Sequence, residues 1–143
     1  MVNAVYTAVA TSLGDGRNGS ARTSDGRLEV QLATPTEMGG SGEGTNPEQL
    51  FALGYAACFH SAMKGVGGQL GIPVVESAVT AEVGIGPLDG GQGYGLVIAL
   101  HVELGGGISD DDAQRLVETA HRVCPYSNAT RGNVEVTLHV ETA

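Results

Sequence analysis

Basic side chains are scarce in this chain: 7 of its 143 residues are Lys or Arg, against 16 Asp or Glu, and the formal net charge is −9. Nucleic acids and anionic membranes are bound mainly through Lys and Arg, so neither is expected as a partner. No apolar run reaches the roughly 18 residues of a spanning helix. The opening stretch, MVNAVYTAVATS, lacks the basic region of a secretory signal, and the expected compartment is the cytoplasm. Aromatics are few, with no Trp, 2 Phe and 4 Tyr, while Gly numbers 23, so tight turns and close packing are expected. Cysteine is limited to Cys58 and Cys124, 66 residues apart. In a reducing cytosol such a pair is catalytic, metal-binding or two unrelated buried thiols sooner than a structural disulfide.

The length suffices for one domain with a real core, residues 1–143. Residues 2–11 alternate as a strand, and residues 14–19 form a turn. Residues 20–23 and 28–33 complete a three-stranded meander, with Leu28, Val30 and Leu32 on one face. Residues 34–44, TPTEMGGSGEG, are a loop. Asn46 is an N-cap, Pro47 suits the first helical position, and Gln49 is placed to reach back to the cap. The helix that follows, carrying Cys58, is apolar nearly all round, which predicts burial. It should fade near Gly65, Gly67 and Gly68. Gly54, Ala57, Cys58, Ser61, Ala62 and Gly65 line one side with small residues, fit for close approach by another backbone. Gly54 costs such a helix about 1 kcal/mol relative to Ala.

Residues 77–85 and 94–104 read as strands around a glycine-rich loop. Ser109 and Asp112 form a capping box for a second helix, with Ala113, Leu116, Val117, Ala120 and Cys124 as its stripe. Pro125 disfavours helix at Cys124 and stops it there. Residues 134–140 alternate as the last strand. The order βββ-α-ββ-α-β predicts an α+β fold, with mostly antiparallel sheets around a central buried helix.

A thiol is a nucleophile only as thiolate, and an unperturbed Cys, with a pKa of about 8.5, is a few per cent ionised near neutrality. Lowering that pKa by about 2 units takes roughly 2.7 kcal/mol of differential stabilisation, for which a nearby cation is the usual source. Arginine fits, since it stays charged and its fork can hold a carboxylate and a thiolate together. The candidates are Arg17, Arg22 and Arg131. Taken alone, Arg17 also reads as a solvated turn residue, Glu48 as a first-turn acid serving the helix dipole, and Cys124 as a core thiol. Cys58-x-His60 and His121-x-x-Cys124 look like two pairs of zinc ligands. Positions 121 and 124 can share a helix face, but 58 and 60 point to nearly opposite sides, which speaks against one metal centre. No cofactor is expected.

The segments TNPEQLFALGYAACF, residues 45–59, and CPYSNATRGN, residues 124–133, closely resemble the two signature stretches of the organic hydroperoxide resistance (Ohr) family of the OsmC/Ohr superfamily. The likeness extends to the GDGRNGSARTSDGRLEVQLATP stretch and covers almost the whole chain. It implies an OsmC/Ohr-like fold and a thiol peroxidase acting on alkyl and fatty-acid hydroperoxides. Cys58 matches the peroxidatic cysteine, Cys124 the resolving cysteine, Arg17 the active-site arginine and Glu48 its carboxylate partner. The implied cycle runs through a Cys58 sulfenic acid and a Cys58–Cys124 disulfide, reduced by a dithiol such as the dihydrolipoyl group of a lipoylated protein. Phe51, Tyr55, Phe59 and Tyr126 are candidates for an apolar substrate pocket, and equally for plain core roles.

Glu48 and Cys58 lie ten residues apart, roughly 15 Å along a straight helix. Either the helix breaks between them or Glu48 serves the Cys58 of a second subunit. The small-residue side favours the second option, an intertwined two-fold homodimer. Alternatives are an OsmC-branch peroxidase with another peroxide preference, against which Tyr126 leans, a redox-sensing or metal-binding protein without turnover, and an acyl-binding domain using the same pocket.

Overall fold

The structure is a computed structural model that describes residues 1–143, divided into two compact units, Met1–Leu50 and Phe51–Ala143. In the first unit β1 (Ala10–Leu13), β2 (Ser20–Thr23) and β3 (Glu29–Gln31) form the expected antiparallel meander. The first strand is shorter than its alternation implied. Residues 2–9 lie in no strand, and Val2, Val5, Tyr6 and Val9 are exposed. The ladder runs only from Ala10↔Thr23 to Leu13↔Ser20. Upstream of Ala10 the partner strand has already turned, its Gly26 N–H closing on the Thr23 carbonyl at 3.1 Å. An alternating face without a paired edge leaves its backbone groups to water.

The loop after β3 holds a 3-10 turn at Thr36–Met38. Its ends are tied by a parallel bridge between Leu32 and Thr45. That tie delivers the chain to Asn46, whose Oδ1 accepts from the Gln49 N–H at 2.8 Å, the expected N-cap bond. The Gln49 side chain does not close the capping box; its Oε1 accepts from the Thr45 hydroxyl at 2.7 Å instead.

Helix α1 spans Pro47–Leu70 without a break and does not fade at Gly65, Gly67 or Gly68. Burial of Met63, Val66 and Gly67 outweighs the helix cost of about 1 kcal/mol per glycine. The helix stops at Gly71, φ +70°, where the Ile72 N–H returns to the Gly67 carbonyl at 2.9 Å in a Schellman closure. Burial is confined to one stripe, Tyr55, Phe59, Met63, Val66 and Gly67. Leu53, Ala57, Ser61, Gly65 and Gly68 are exposed, so the all-round burial expected from the apolar composition is not reached within one chain.

In the second unit β4 (Ser77–Pro87), β5 (Tyr94–Leu104) and β6 (Glu135–Thr142) form a sheet in that order. β4 and β5 are antiparallel, whereas β5 and β6 are parallel, because the chain crosses over between them through helices. Ile98, Leu100, Val102 and Leu104, alternate residues of β5, join Leu116, Val117 and Ala120 and the α1 stripe in one core. Helix α2 (Asp110–Val123) is capped by the Ser109 hydroxyl, which accepts from the Asp112 N–H at 3.1 Å. Cys124 leaves the helix with ψ 125°, as the following proline requires. Pro125 then opens a helix absent from the sequence reading, α3 (Pro125–Thr130), which at 6 residues is too short to display a hydrophobic period. No helix is long and apolar enough to cross a membrane.

Candidate active site

Arg17 lies on a 3-10 turn, Gly16–Asn18, between β1 and β2. Two glycines shape that turn: Gly16 takes φ +61°, and a Cβ on Gly19 would collide with the Leu13 carbonyl oxygen. The Asn18 side chain accepts from the Thr34 N–H at 3.0 Å and ties the turn to the following loop. From this support the Arg17 guanidinium reaches Glu48 in the first turn of α1. Nη1 donates to Oε2 at 2.9 Å and Nη2 to Oε1 at 2.6 Å. The fork-to-fork pair is half-shielded, with Arg17 38% and Glu48 11% exposed. The Arg17 guanidinium holds the Glu48 carboxyl below the usual range, and Glu48 raises Arg17 in return. The two residues that the family resemblance pairs are thus paired within the first unit. Arg22 carries no such partner, and Arg131 serves elsewhere.

Within the second unit, the two cysteines meet. Cys58 is half-buried on α1, Cys124 is fully buried at the joint of α2 and α3, and both are free thiols. The Cys124 thiol and the Tyr126 backbone N–H both lie near enough to the Cys58 thiol to act on it. Burial pushes the Cys58 thiol up, the Tyr126 N–H pulls it back, and Cys124 raises it further. No cation of the second unit acts on it, so the low thiol pKa a peroxidatic role demands is not produced by that unit alone.

Three of the four proposed pocket aromatics form one cluster. Tyr126 lies 5.9 Å from Phe51 and 5.6 Å from Tyr55, between ring centroids. The cluster explains Gly54: its nearest neighbour is not a backbone, as expected, but the Tyr126 ring, whose hydroxyl oxygen would stand 2.8 Å from a Cβ there. Phe59 is placed apart from the cluster, fully buried in the core with its ring 6.5 Å from His121. Beside Cys58 a groove of about 690 Å³ runs along the small-residue side of α1, lined by Ala57, Ser61, Ala62, Gly65, Val123 and Pro125 among others.

The four residues considered for zinc do not converge. His60 Nε2 is hydrogen-bonded to the Ser77 hydroxyl and His121 Nδ1 to the Ser127 hydroxyl, each at 2.8 Å. No three His, Cys, Asp or Glu side chains are gathered for a metal. Ser127, fully buried, and the Tyr126 N–H escaped the reading of the sequence. The one available signal was a serine inside CPYSN, a motif too short to show that its hydroxyl is buried.

The OsmC-like protein family matches residues 40–139 of the chain. An organic hydroperoxide resistance protein of Xanthomonas axonopodis pv. citri (strain 306) is 53% identical over 137 residues, covering 94% of this chain and 93% of the relative. Organic hydroperoxide resistance protein OhrA of Bacillus subtilis (strain 168) is 44% identical over 142 residues, 98% of this chain and 99% of the relative. Among solved structures, an organic hydroperoxide resistance protein from Legionella pneumophila superposes with a TM-score of 0.91 at 47% identity, covering 97% of this chain and 99% of that one.

Proposed function

Because the chain belongs to the organic hydroperoxide resistance family of the OsmC/Ohr superfamily, we propose that it is a thiol peroxidase that reduces alkyl and fatty-acid hydroperoxides to alcohols. Membership of that family supports a role in organic peroxide resistance. The thiol peroxidase mechanism is supported by a single observation: the chain's two thiols, 66 residues apart in sequence, are neighbours in the fold.

The chemistry follows from that adjacency. Cys58 thiolate attacks the distal oxygen of ROOH, the O–O bond breaks, and the alkoxide takes a proton to leave as ROH. Cys58 is then a sulfenic acid. The Cys124 sulfur attacks it, an S–S bond forms, and water departs. A dithiol, in this proposal a dihydrolipoyl group on a lipoylated protein in the cytoplasm, returns both sulfurs to thiols by exchange. Phe51 and Tyr126 offer an apolar wall for the alkyl chain, while Tyr55 and Phe59, both fully buried, belong to the core behind it.

Thiolate formation needs a cation, and the Arg17 guanidinium, oriented by Glu48, is the proposed source. Since α1 is unbroken, Glu48 and Cys58 remain separated along it by ten positions, roughly 15 Å of rise. The Arg17–Glu48 pair of one subunit is therefore proposed to serve the Cys58 of another, in a two-fold homodimer. The exposed small-residue side of α1 and the segment 2–8, which lies in no strand and exposes Val2, Val5 and Tyr6, support a second copy.

The test is mass spectrometry of the reduced protein after one equivalent of cumene hydroperoxide. Loss of two hydrogens, mapped to a 58–124 bridge, is expected. An unchanged mass would overturn the proposal.

A further inference from the structure

Cys124 stands at a joint. It ends α2 with extended backbone and is followed at once by α3, a helix of 6 residues. Helices that short are not stable by themselves, so α3 needs an external hold if the Cys124 sulfur is to stay on Cys58. One buried oxygen supplies it. Ser127 Oγ on α3 is 2.8 Å from the Tyr55 hydroxyl on α1 and 2.8 Å from His121 Nδ1 on α2. A single hydroxyl thus bridges all three helices around the thiol pair.

The surrounding bonds give that bridge a direction. Thr130 donates its hydroxyl proton to the Tyr126 and Ser127 carbonyls, at 3.1 and 3.2 Å, and has only acceptor capacity left for Tyr55 at 3.3 Å. Burial first, and the Arg131 charge second, lower the His121 pKa and favour the neutral ring. With Nδ1 as acceptor, Ser127 donates to His121, and Tyr55 directs its one proton to Ser127 at 2.8 Å, with the Thr130 oxygen at 3.3 Å a second, weaker acceptor. Arg131 also clamps the far end, donating to the His121 carbonyl and, at 2.7 Å, to Asn128 Oδ1.

We propose that the Tyr55–Ser127–His121 chain holds Cys124 in place for disulfide closure, and that Ser127 is a positioning residue of the resolving step. The proposal rests on the peroxidase reading above. None of the bridging oxygens or nitrogens is assigned to the reacting atoms; the effect runs through the position of α3. In the step concerned, Cys58–S–OH and Cys124–SH become Cys58–S–S–Cys124 and water, and the sulfurs must close to about 2.05 Å. Misplacement by about 1 Å can slow such a step on the order of 10²-fold.

The experiment is a single turnover of the full chain with one equivalent of cumene hydroperoxide, quenched over time, with dimedone to capture sulfenic acid and mass spectrometry to count disulfide. Ser127→Ala is expected to consume peroxide within about threefold of the unmodified protein but to close the disulfide about 10²-fold more slowly, with a dimedone adduct accumulating on Cys58. Tyr55→Phe, which keeps the ring and removes its oxygen, is expected to slow closure in the same sense and decides the matter if Ser127→Ala does not fold. Closure at the unmodified rate in the folded variants, or equal slowing of both steps, overturns the inference. Failure of the unmodified protein to form the 58–124 bridge overturns instead the peroxidase reading beneath it.

Discussion

Two adjacent glycines of α1 are expected to respond in opposite ways to one methyl group. At Gly68 a Cβ would meet nothing within 4 Å. Gly68→Ala therefore gains helix propensity alone, about 1 kcal/mol, and raises the melting temperature by about 3 °C. At Gly67 the same atom would stand 2.8 Å from the Ile72 carbonyl oxygen and 2.8 Å from Val74 Cγ2, with Leu116 at 3.5 Å. A carbonyl cannot swing aside as a side-chain tip can, and the Gly67 carbonyl is itself the acceptor that closes the helix end. Overpacking costs about 1–3 kcal/mol and the strained closure about 1 more, against the same gain of about 1. Gly67→Ala is thus expected to lose about 2 kcal/mol net, or about 6 °C. Scanning calorimetry of the reduced protein at one fixed concentration measures both, since an oligomer's melting depends on concentration. A Gly67→Ala protein as stable as Gly68→Ala would refute the packing described for the end of α1.

Three further outcomes are expected. Cys58→Ser loses peroxide turnover on the order of 10³-fold or more, while Cys124→Ser still consumes one equivalent and stalls, as a coupled peroxide-consumption assay with dihydrolipoamide reads directly. Acid weakens the fold in two stages: His121, depressed in the fold mainly by burial, contributes stability that is complete above its ordinary pKa of about 6.5 and is lost as pH falls through its lower folded value. Glu48, depressed by Arg17, does the same below about 4.3, so in urea titrations across pH His121→Gln removes the first stage and Glu48→Gln the second. Gly65→Leu, at a position where an added Cβ meets nothing within 4 Å in a single chain, is expected to dissociate the proposed homodimer, and an unchanged mass by light scattering would exclude that side of α1 as the interface.

The elements that proved easiest to read carry local signals strong enough to act alone. Asn46-Pro47 and Ser109 through Asp112 marked the starts of α1 and α2 because a capping bond joins residues only three positions apart. Residues 94–104 alternate cleanly because one face of β5 is core and the other is not. Errors arose where a partner was decisive. Residues 2–8 alternate but lie in no strand of this chain, and Val9 offers only its carbonyl, to the Ser24 N–H. Apolar composition implied a helix buried all round, yet a helix contacts what the fold places beside it, and half of α1 faces outward. α3 went unseen because 6 residues show no period.

By itself the sequence determined the order of the strands and of the two longer helices, the two signature stretches and hence the family, since these depend on which residues follow one another. Only the tertiary structure decided that Glu48 grips Arg17 with both carboxylate oxygens, that Cys124 lies on Cys58, and that a hidden serine ties the joint between them. Those are distances across 31, 66 and 72 positions of chain, for Arg17–Glu48, Cys58–Cys124 and Tyr55–Ser127. Separations of that length are closed by the packing of α1 and α2 on a common sheet and by the turn that carries Arg17, and no local preference of the residues concerned encodes them.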